Sequence, residues 1–256
     1  MTGIHPTAQV AGGAKIGGNV SIGPYCVIGA DVCLSDGVTL DSHVVVSGIT
    51  SIGPNCRLFP FAAIGSQPQD LKYGGESSRL EIGCNNIIRE HVTMNPGTEG
   101  GGMVTSIGNN GLFMVGAHVA HDCVIGDHVI MVNNATLAGH VVIDEWAIIG
   151  GLSAVHQFVR IGERAMLTGL AAVNMDVPPF MMIDREGKCA TVNTVGMRRA
   201  GFSPVERQEI KRAYRLLYRN GGEIGEKLAA LEREMETAPG KRLLAFLQAP
   251  SRRGIT

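Results

Sequence analysis

Long apolar runs are missing from this sequence of 256 residues, and none approaches the roughly 18 residues that a membrane-spanning helix needs. The first residues, MTGIHPTAQVAGG, lack the basic and apolar regions of a secretory signal peptide. Apolar side chains still make up 45% of the chain, which is enough for a buried core and disfavours disorder. We therefore expect a soluble, cytoplasmic protein that does not span a membrane.

Paired cysteines are missing as well. The six cysteines are scattered without a C-x-x-C pair, so we expect free thiols. There is neither a Walker loop nor a dinucleotide-binding G-x-G-x-x-G, and the glycines at 100–102 are predicted only to make a loop flexible. Ser153 lies in GGLSAVH, which lacks the second glycine of a nucleophile elbow.

Charge is distributed unevenly along the chain. Residues 1–184 contain 7 Lys/Arg and 15 Asp/Glu, whereas residues 185–256 contain 15 Lys/Arg and 8 Asp/Glu. This asymmetry predicts two regions with different partners. Charge alone does not decide whether the basic region meets nucleic acid, a membrane surface or an acidic protein.

What the sequence does contain is a six-residue repeat of aliphatic side chains. The repeat runs from Ile4 to Ile64, resumes from Ile82 to Met94, and continues from Ile107 to Val173. A small residue four places after each aliphatic residue indicates short strands, and the positions between must turn a corner. Three units close a triangular coil of 18 residues, which predicts a parallel β-helix. Proteins that this repeat resembles coil left-handed.

The end of the repeat divides the chain into two predicted domains. Residues 1–184 form the β-helix, with extruded loops rich in Gly, Ser and Pro at 66–81 and 95–106. Residues 185–256 form a helical domain, since the segment SPVE at 203–206 has the pattern of a capping box with a first-turn proline. This helix should run to about Asn220, followed by a second over about 223–237 and a short third element after Gly240. The cations expected on the surface of this helical domain are Arg198, Arg199, Lys211, Arg212, Arg215 and Arg219.

The coil period stacks residues that are 18 apart, and one corner, together with the strand residue His118 beside it, thereby collects four histidines, an aspartate, a glutamine and a glycine from three successive coils. Its members are His118, His121, Asp122, Gly139, His140, His156 and Gln157. A lone corner histidine is usually solvated surface, which is our interpretation of His43, His91 and His128. Four histidines converging beside an aspartate indicate a functional site.

Three kinds of chemistry are compatible with a cluster of histidines, an aspartate and a cysteine at this corner. A zinc site needs three or four ligands, of which His118 and His121 could supply two and a neighbouring chain more. A cysteine nucleophile fails because Cys123 occupies an inward apolar slot, where a thiol is inert. Acid–base chemistry fits best, because a neutral imidazole at His121 can take a proton near pH 7 and Asp122 can fix its tautomer. Gly139 would leave its backbone N–H open to an oxyanion or ease the corner, and the two roles are compatible.

Six segments, in this order and spacing, closely resemble one family. They are QDLKY (69–73), HVAHDC (118–123), NNATLAGHV (133–141), AVHQF (154–158), DVPP (176–179) and RRAGFS (198–203). Over essentially its whole length the chain resembles the acyl-carrier-protein-dependent UDP-N-acetylglucosamine O-acyltransferases of lipid A biosynthesis. The resemblance implies a homotrimer of left-handed β-helices, with an active site in each cleft between subunits and no nucleic-acid partner.

The resemblance also implies individual roles. His121 would be the general base that deprotonates the sugar 3-hydroxyl, Asp122 would orient it, and the Gly139 N–H would stabilise the tetrahedral oxyanion. The donor would be a 3-hydroxyacyl chain on the phosphopantetheine of acyl carrier protein, with no metal and no other cofactor. The cationic helices would dock that acidic carrier protein. The implied substrate-binding residues are Gln69, Asp70, Lys72, His118, His140, His156, Gln157, Asn193 and Arg199.

The chain departs from the family pattern at several positions. Asn95 stands where a histidine is usual, and Val195 and Ala200 replace a carboxylate and an arginine near the nucleotide, so those contacts are not carried over. Gly169 falls where a bulkier side chain shortens the acyl pocket in some relatives, which predicts a long hydroxyacyl chain here. Cys189 replaces the residue that is usual in the family near the end of the acyl-chain site.

Other functions remain open on the sequence alone. N-acyl transfer to an amino-sugar nucleotide would use the same base and the same oxyanion amide. A β-helical zinc enzyme of the carbonic anhydrase type would use histidines that bridge subunits. A purely structural solenoid would carry threonine or charge ladders along one flat face, and the sequence has none.

Overall fold

The computed structural model describes residues 3–256, and its repeat region is the predicted parallel β-helix. Each coil adds one strand to each of three sheets, and neighbouring strands pair in parallel, for example Thr136 with Ala154. The six-residue repeat therefore builds the expected triangular coil.

The strands fall into the three sheets as follows. The first sheet consists of Gly3–Ile4, Ser21–Ile22, Thr39–Leu40, Arg57–Leu58, Ile87–Ile88, Leu112–Phe113, Ile130–Met131, Ile148–Ile149, Met166–Leu167, Met181–Ile183 and Cys189–Val192. The second consists of Gln9–Val10, Val27–Ile28, Val45–Val46, Ala63–Ile64, Thr93–Met94, His118–Val119, Thr136–Leu137, Ala154–Val155 and Ala172–Val173. The third consists of Lys15–Ile16, Cys33–Leu34, Ile49–Ile52, Arg79–Ile82, Val104–Ile107, Val124–Ile125, Val142–Ile143 and Arg160–Ile161.

The aliphatic positions of the repeat form the core. Leu137 is fully buried between Val119 and Val155, its partners on adjacent coils, and burying each such side chain contributes about 1.5–3 kcal/mol. Ser153 and Cys123 fill the small inward slots, as predicted. Ile4 in the first described coil is 47% exposed, because only one coil covers it.

Corners hold the side chains of the site in place. The third corner residue adopts a left-handed backbone conformation, with φ of 58° at Asp122, 61° at His140 and 66° at Phe158. Its N–H donates to the coil before, as from His140 to the His121 carbonyl at 3.0 Å. Corner side chains therefore point outward in register, one coil above the next.

The two predicted loops leave the coil where expected, because Ile64 pairs with Met94 and Met94 with Val119, which are more than 18 residues apart. Their C-terminal limits differ from the prediction. Residues 79–81 and 104–106 already belong to strands of the third sheet, since Leu80 and Thr105 are buried in line with Thr50. A 3-10 helix, Glu99–Gly101, lies within the second loop.

The C-terminal region contains four helices: Thr194–Arg199 (α1), Pro204–Tyr218 (α2), Ile224–Glu234 (α3) and Ala238–Gln248 (α4). The predicted capping box of Ser203 and Glu206 is present at the start of α2. The third element begins before Gly240, because Thr237 accepts a hydrogen bond from the Gly240 N–H and Pro239 stands in the first turn. Helix α1, which Asn193 caps, was not predicted from the sequence.

The helices pack against the last coils. Arg242 on α4 donates to the Glu163 carboxylate at 2.6 Å, and the tail returns to pair Ile255 with Asp176. In residues 3–256, every helix is too short or too polar to cross a bilayer.

Candidate active site

The corner predicted from the coil period holds a histidine–aspartate pair. His121 Nδ1 lies 2.8 Å from Oδ2 of Asp122, and the Asp122 residue is only 5% exposed. Because a carboxylate can only accept, Nδ1 of His121 carries the hydrogen. In the neutral form of this imidazole the second ring nitrogen, Nε2, has the free lone pair, and it lies 4.0 Å from Oδ2 of Asp70.

A cavity of about 880 Å³ opens beside this imidazole. It combines the corner with the first extruded loop, so that residues distant in sequence line one space. The predicted residues in its wall are Gln69, Asp70, Lys72, His118, His121, Gly139, His140 and Gln157. Leu71 and Phe158 also line the cavity and were not predicted. Phe158 could have been predicted, because it lies 18 residues after His140.

A glycine is required at position 139 for a steric reason that the sequence did not reveal. A Cβ atom there would lie 2.4 Å from Cε1 and 2.7 Å from Nε2 of His121. Within residues 3–256, the Gly139 N–H donates no hydrogen bond. The glycine thus makes room for the imidazole and leaves an amide donor next to it.

Two further histidines of the site favour the neutral form. His118 Nδ1 lies 2.7 Å from the Thr93 hydroxyl, and burial, followed by the nearby charge of His121, lowers the pKa of His118. Burial also lowers the pKa of His140, against the opposing effect of Asp122. The His140 ring stacks on Phe158, with ring centroids 4.4 Å apart.

The second extruded loop contacts the Asp122 carboxylate, and its residues are not among those that line the cavity. Thr98 donates to both carboxylate oxygens of Asp122, and Gly101 packs against the same carboxylate. Residues 100–102 were expected only to make the loop flexible, but Gly101 also has a packing role, because a side chain there would collide with Asp122. The loop is outside the coil period, so the sequence carried no signal for these contacts.

Three residues predicted to bind substrate, His156, Asn193 and Arg199, do not line the cavity beside His121. His156 is on the expected corner but is exposed, and its Nδ1 faces the Gln157 carbonyl at 3.2 Å rather than the cavity. Asn193 and Arg199 line a second cavity of about 610 Å³, together with Trp146 and Ala200. That cavity is at the corner after the third sheet, whereas His121 is at the corner after the second sheet.

Asn95 and the acyl-pocket positions are also placed by the structure. Asn95 is buried and donates to the carbonyls of Ser66 at 2.9 Å and Gln67 at 3.3 Å, where the first loop begins. Gly169 is exposed at the corner after the first sheet. Cys189 is partly buried in the antiparallel pair Met181–Ile183 with Cys189–Val192.

The cysteines are free thiols, as predicted. Cys123 is fully buried, and burial raises its pKa to about 12. A thiol in this state is not a nucleophile near neutral pH.

The β-helix of six-residue units and the imidazole at its corner define a hexapeptide-repeat acyltransferase. Residues 176–256 match the family described as Udp N-acetylglucosamine O-acyltransferase, domain 2. The chain is 45% identical to the acyl-[acyl-carrier-protein]--UDP-N-acetylglucosamine O-acyltransferase of Thermodesulfovibrio yellowstonii, across 100% of this chain and 99% of the relative.

Solved structures agree with this match. LpxA from Acinetobacter baumannii superposes with a TM-score of 0.95 at 41% identity, with 99% of each chain covered. UDP-N-acetylglucosamine O-acyltransferase (LpxA) from Moraxella catarrhalis gives 0.94 at 40% identity, with 98% of each chain covered. The chain belongs to the UDP-N-acetylglucosamine O-acyltransferase family, and the predicted left-handed parallel β-helix with C-terminal helices is confirmed.

His121, Asp122 and His140 also present three potential metal ligands within 4.8 Å of one another. The Asp122 carboxylate already accepts from Thr98 and His121, so a metal would have to displace these bonds. The family membership favours acyl transfer over the zinc hydratase considered from the sequence.

Proposed function

We propose that this protein transfers a 3-hydroxyacyl chain from acyl carrier protein to the 3-hydroxyl of UDP-N-acetylglucosamine, the first step of lipid A biosynthesis. The observation that carries the proposal is the His121 imidazole, with one nitrogen bonded to Asp122 and the other open to the cavity. The names of the similar proteins supply the donor and the acceptor.

In the proposed reaction, His121 Nε2 takes the proton of the sugar 3-hydroxyl as its oxygen attacks the thioester carbonyl. The tetrahedral oxyanion accepts a hydrogen bond from the Gly139 N–H, which is free to donate. Collapse breaks the carbon–sulfur bond, and the imidazolium returns its proton to the leaving thiolate. The imidazole and the amide provide the base and the oxyanion donor, so we propose that the reaction needs no metal and no cofactor besides the carrier's phosphopantetheine.

The acceptor would bind between the corner and the first loop. Asp70 lies 4.0 Å from Nε2, where it can hold the sugar, and Lys72 in the same cavity can hold the phosphates. His118, His140 and Gln157 also line this cavity. Gln69 lines the same space.

The acyl chain would cross the outer face of the second sheet. The outward residues of its stacked strands after His118 are small and exposed: Thr136, Ala154 and Ala172. Gly169 stands at the far edge of this face and has no side chain to block it. We propose that this path accepts a long chain, with Cys189 beyond Gly169.

Two copies of the chain would share each site. Asn193 and Arg199 occupy a different corner from His121, so one chain does not bring them together, whereas a closed rotation of identical subunits can. We propose a homotrimer in which the cavity lined by Asn193 and Arg199 in one subunit faces the His121 cavity of the next and completes the nucleotide site. His156 would contribute to the same site.

The carrier protein would dock on the basic helices. Arg212 and Arg215 on α2 and Arg219 just after its end are exposed, and so are Arg198 and Arg199 on α1, whereas Lys211 is half-buried. This charge suits an acidic protein partner. We propose a cytoplasmic location, where the free thiols stay reduced.

A direct assay tests the function. A series of 3-hydroxyacyl carrier proteins is offered with UDP-N-acetylglucosamine or with its amino-sugar counterpart. We expect product only with the hydroxyl acceptor, and a loss of roughly 100-fold or more in His121→Ala. Turnover of His121→Ala close to that of the wild type would disprove the assignment of the base, and transfer only to the amine would disprove the acceptor.

Subunit mixing tests the shared site. His121→Ala and Arg199→Ala chains are each expected to be nearly inactive, and denaturing and refolding them together should restore part of the activity. No recovery, in mixtures shown by mass to contain both chains, would contradict a site built from two subunits.

A further inference from the structure

The second extruded loop closes on the aspartate of the site rather than on the cavity. The Thr98 N–H donates to Asp122 Oδ1 at 2.8 Å, and the Thr98 hydroxyl donates to Oδ2 at 2.6 Å. Both residues are 5% exposed. One threonine therefore fixes the carboxylate through both oxygens in a buried setting.

Glycines allow this approach. A Cβ on Gly101 would lie 1.9 Å from Cγ of Asp122, and a Cβ on Gly97 would lie 2.8 Å from its Oδ1. Gly102 then reverses the chain with a φ of 96°, which favours glycine. The glycine-rich loop is thus shaped around the carboxylate.

Oδ2 of Asp122 is shared. It accepts from Thr98 at 2.6 Å and from His121 Nδ1 at 2.8 Å, while His140 Nδ1 stands 3.8 Å away. Two donors on one oxygen compete for its electron density. The hydroxyl of Thr98 therefore weakens the hold of the carboxylate on the imidazole while it fixes its direction.

We propose that Thr98 is a positioning residue for the general base, which orients Asp122 and limits how strongly that carboxylate stabilises protonated His121. This rests on the proposed function, in which His121 must be neutral to start the reaction. Without the hydroxyl, Oδ2 would bind the imidazolium more tightly, and His121 would stay protonated to higher pH.

The charged surroundings of His121 remain the same in Thr98 variants. Those on the cavity side and the corner are Asp70, Lys72, His118, His140 and, through its effect on His140, Arg252. On the side of the loops, the Glu99 N–H donates to the Glu76 carboxylate at 3.1 Å. A change in the pH profile would therefore report the lost hydroxyl.

The test compares Thr98→Val, which keeps shape and removes the hydroxyl, with Thr98→Ser, which keeps the hydroxyl. The matched control is Thr50→Val, which removes another buried hydroxyl bonded at 2.7 Å to the Ser47 carbonyl. The readouts are the pH profile of kcat/KM and the NMR signal of the His121 Nδ1 proton in histidine-labelled protein.

We expect Thr98→Val to lower kcat/KM roughly tenfold and to move the acid limb of the profile up by about half a pH unit. Its Nδ1 proton signal should move, whereas Thr98→Ser and Thr50→Val should resemble the wild type in both readouts. An acid limb that stays in place or moves down would overturn the proposal, as would equal profiles in Thr98→Val and Thr50→Val. An inactive wild type would instead refute the proposed function, and the NMR comparison would still decide the role of Thr98.

Discussion

Gly139 and His121, one coil apart, fit together because the glycine has no side chain: a Cβ atom would lie 2.4 Å from the imidazole Cε1. The ring could escape this contact only by turning away from Asp122 or from the cavity. The glycine therefore makes room for His121, the proposed base, and leaves its amide free for the proposed oxyanion.

Gly139→Ala should accordingly lower kcat/KM by roughly 100-fold, because a base displaced by about an ångström loses its alignment. The matched control is Gly12→Ala, at the same corner position of an early coil, where an added Cβ meets nothing within 4 Å. Kinetics of both variants check the prediction. Equal activity of the two would mean that the imidazole has more room than the structure indicates.

Acid should destabilise the fold in part through His118. Its pKa is lowered in the folded state, so below about pH 6.5 the unfolded chain binds a proton that the folded chain does not. Stability is therefore lost as the pH falls from the unfolded value toward the folded one. His118→Gln should show a smaller drop in Tm than the wild type between about pH 7.5 and 5.5.

His156→Gln is the control for this measurement, because that histidine is exposed on the same corner. It should keep the drop in Tm of the wild type. The linkage argument fails if His118→Gln loses as much Tm on acidification as His156→Gln does.

Asn95 should act on substrate binding through the first loop. Asn95→Leu removes the donors to the Ser66 and Gln67 carbonyls, each worth about 1 kcal/mol, so the loop that carries Asp70 should be held less firmly. We expect KM for the sugar nucleotide to rise roughly fivefold with a smaller change in kcat.

Asn95→Asp should be worse than Asn95→Leu, because a carboxylate would face two carbonyl oxygens. Steady-state kinetics of the two variants, checked by Tm for folding, measure the effect. If both keep the KM of the wild type, the first loop is anchored independently of Asn95.

Gly169 should set the length of the acyl chain. Gly169→Met would place a side chain at the edge of the proposed path, where the backbone has room since an added Cβ meets only the Gly151 carbonyl at 3.4 Å. Each excluded CH₂ costs about 0.8 kcal/mol, so the ratio of kcat/KM for long to short donors should fall severalfold.

Leu170→Met, at an exposed neighbouring position, should leave that ratio unchanged. Competition between donors of different length measures both variants. A wild type that prefers short chains would refute the long-chain prediction at once.

The regular part of the molecule was predictable because it repeats. Because three six-residue units make one coil, residues 18 apart must stack. The sequence therefore predicts that His121 lies below Gly139 and Asp122 below His140. The capping box at Ser203 and Glu206 was equally local. The helix Thr194–Arg199 was not predictable in this way, since its only local signal is the capping residue Asn193.

The sequence alone therefore determined the coil, the corner and the pairing of His121 with Asp122, since hydrophobic periodicity and strand register act between near neighbours and fixed spacings. The tertiary structure alone decided what the irregular segments touch. The second loop binds the Asp122 carboxylate through Thr98, and Asn193 and Arg199 lie at a different corner from His121. The physical reason is that a loop without a period has no register, so its contacts depend on where the folded coil leaves room for it.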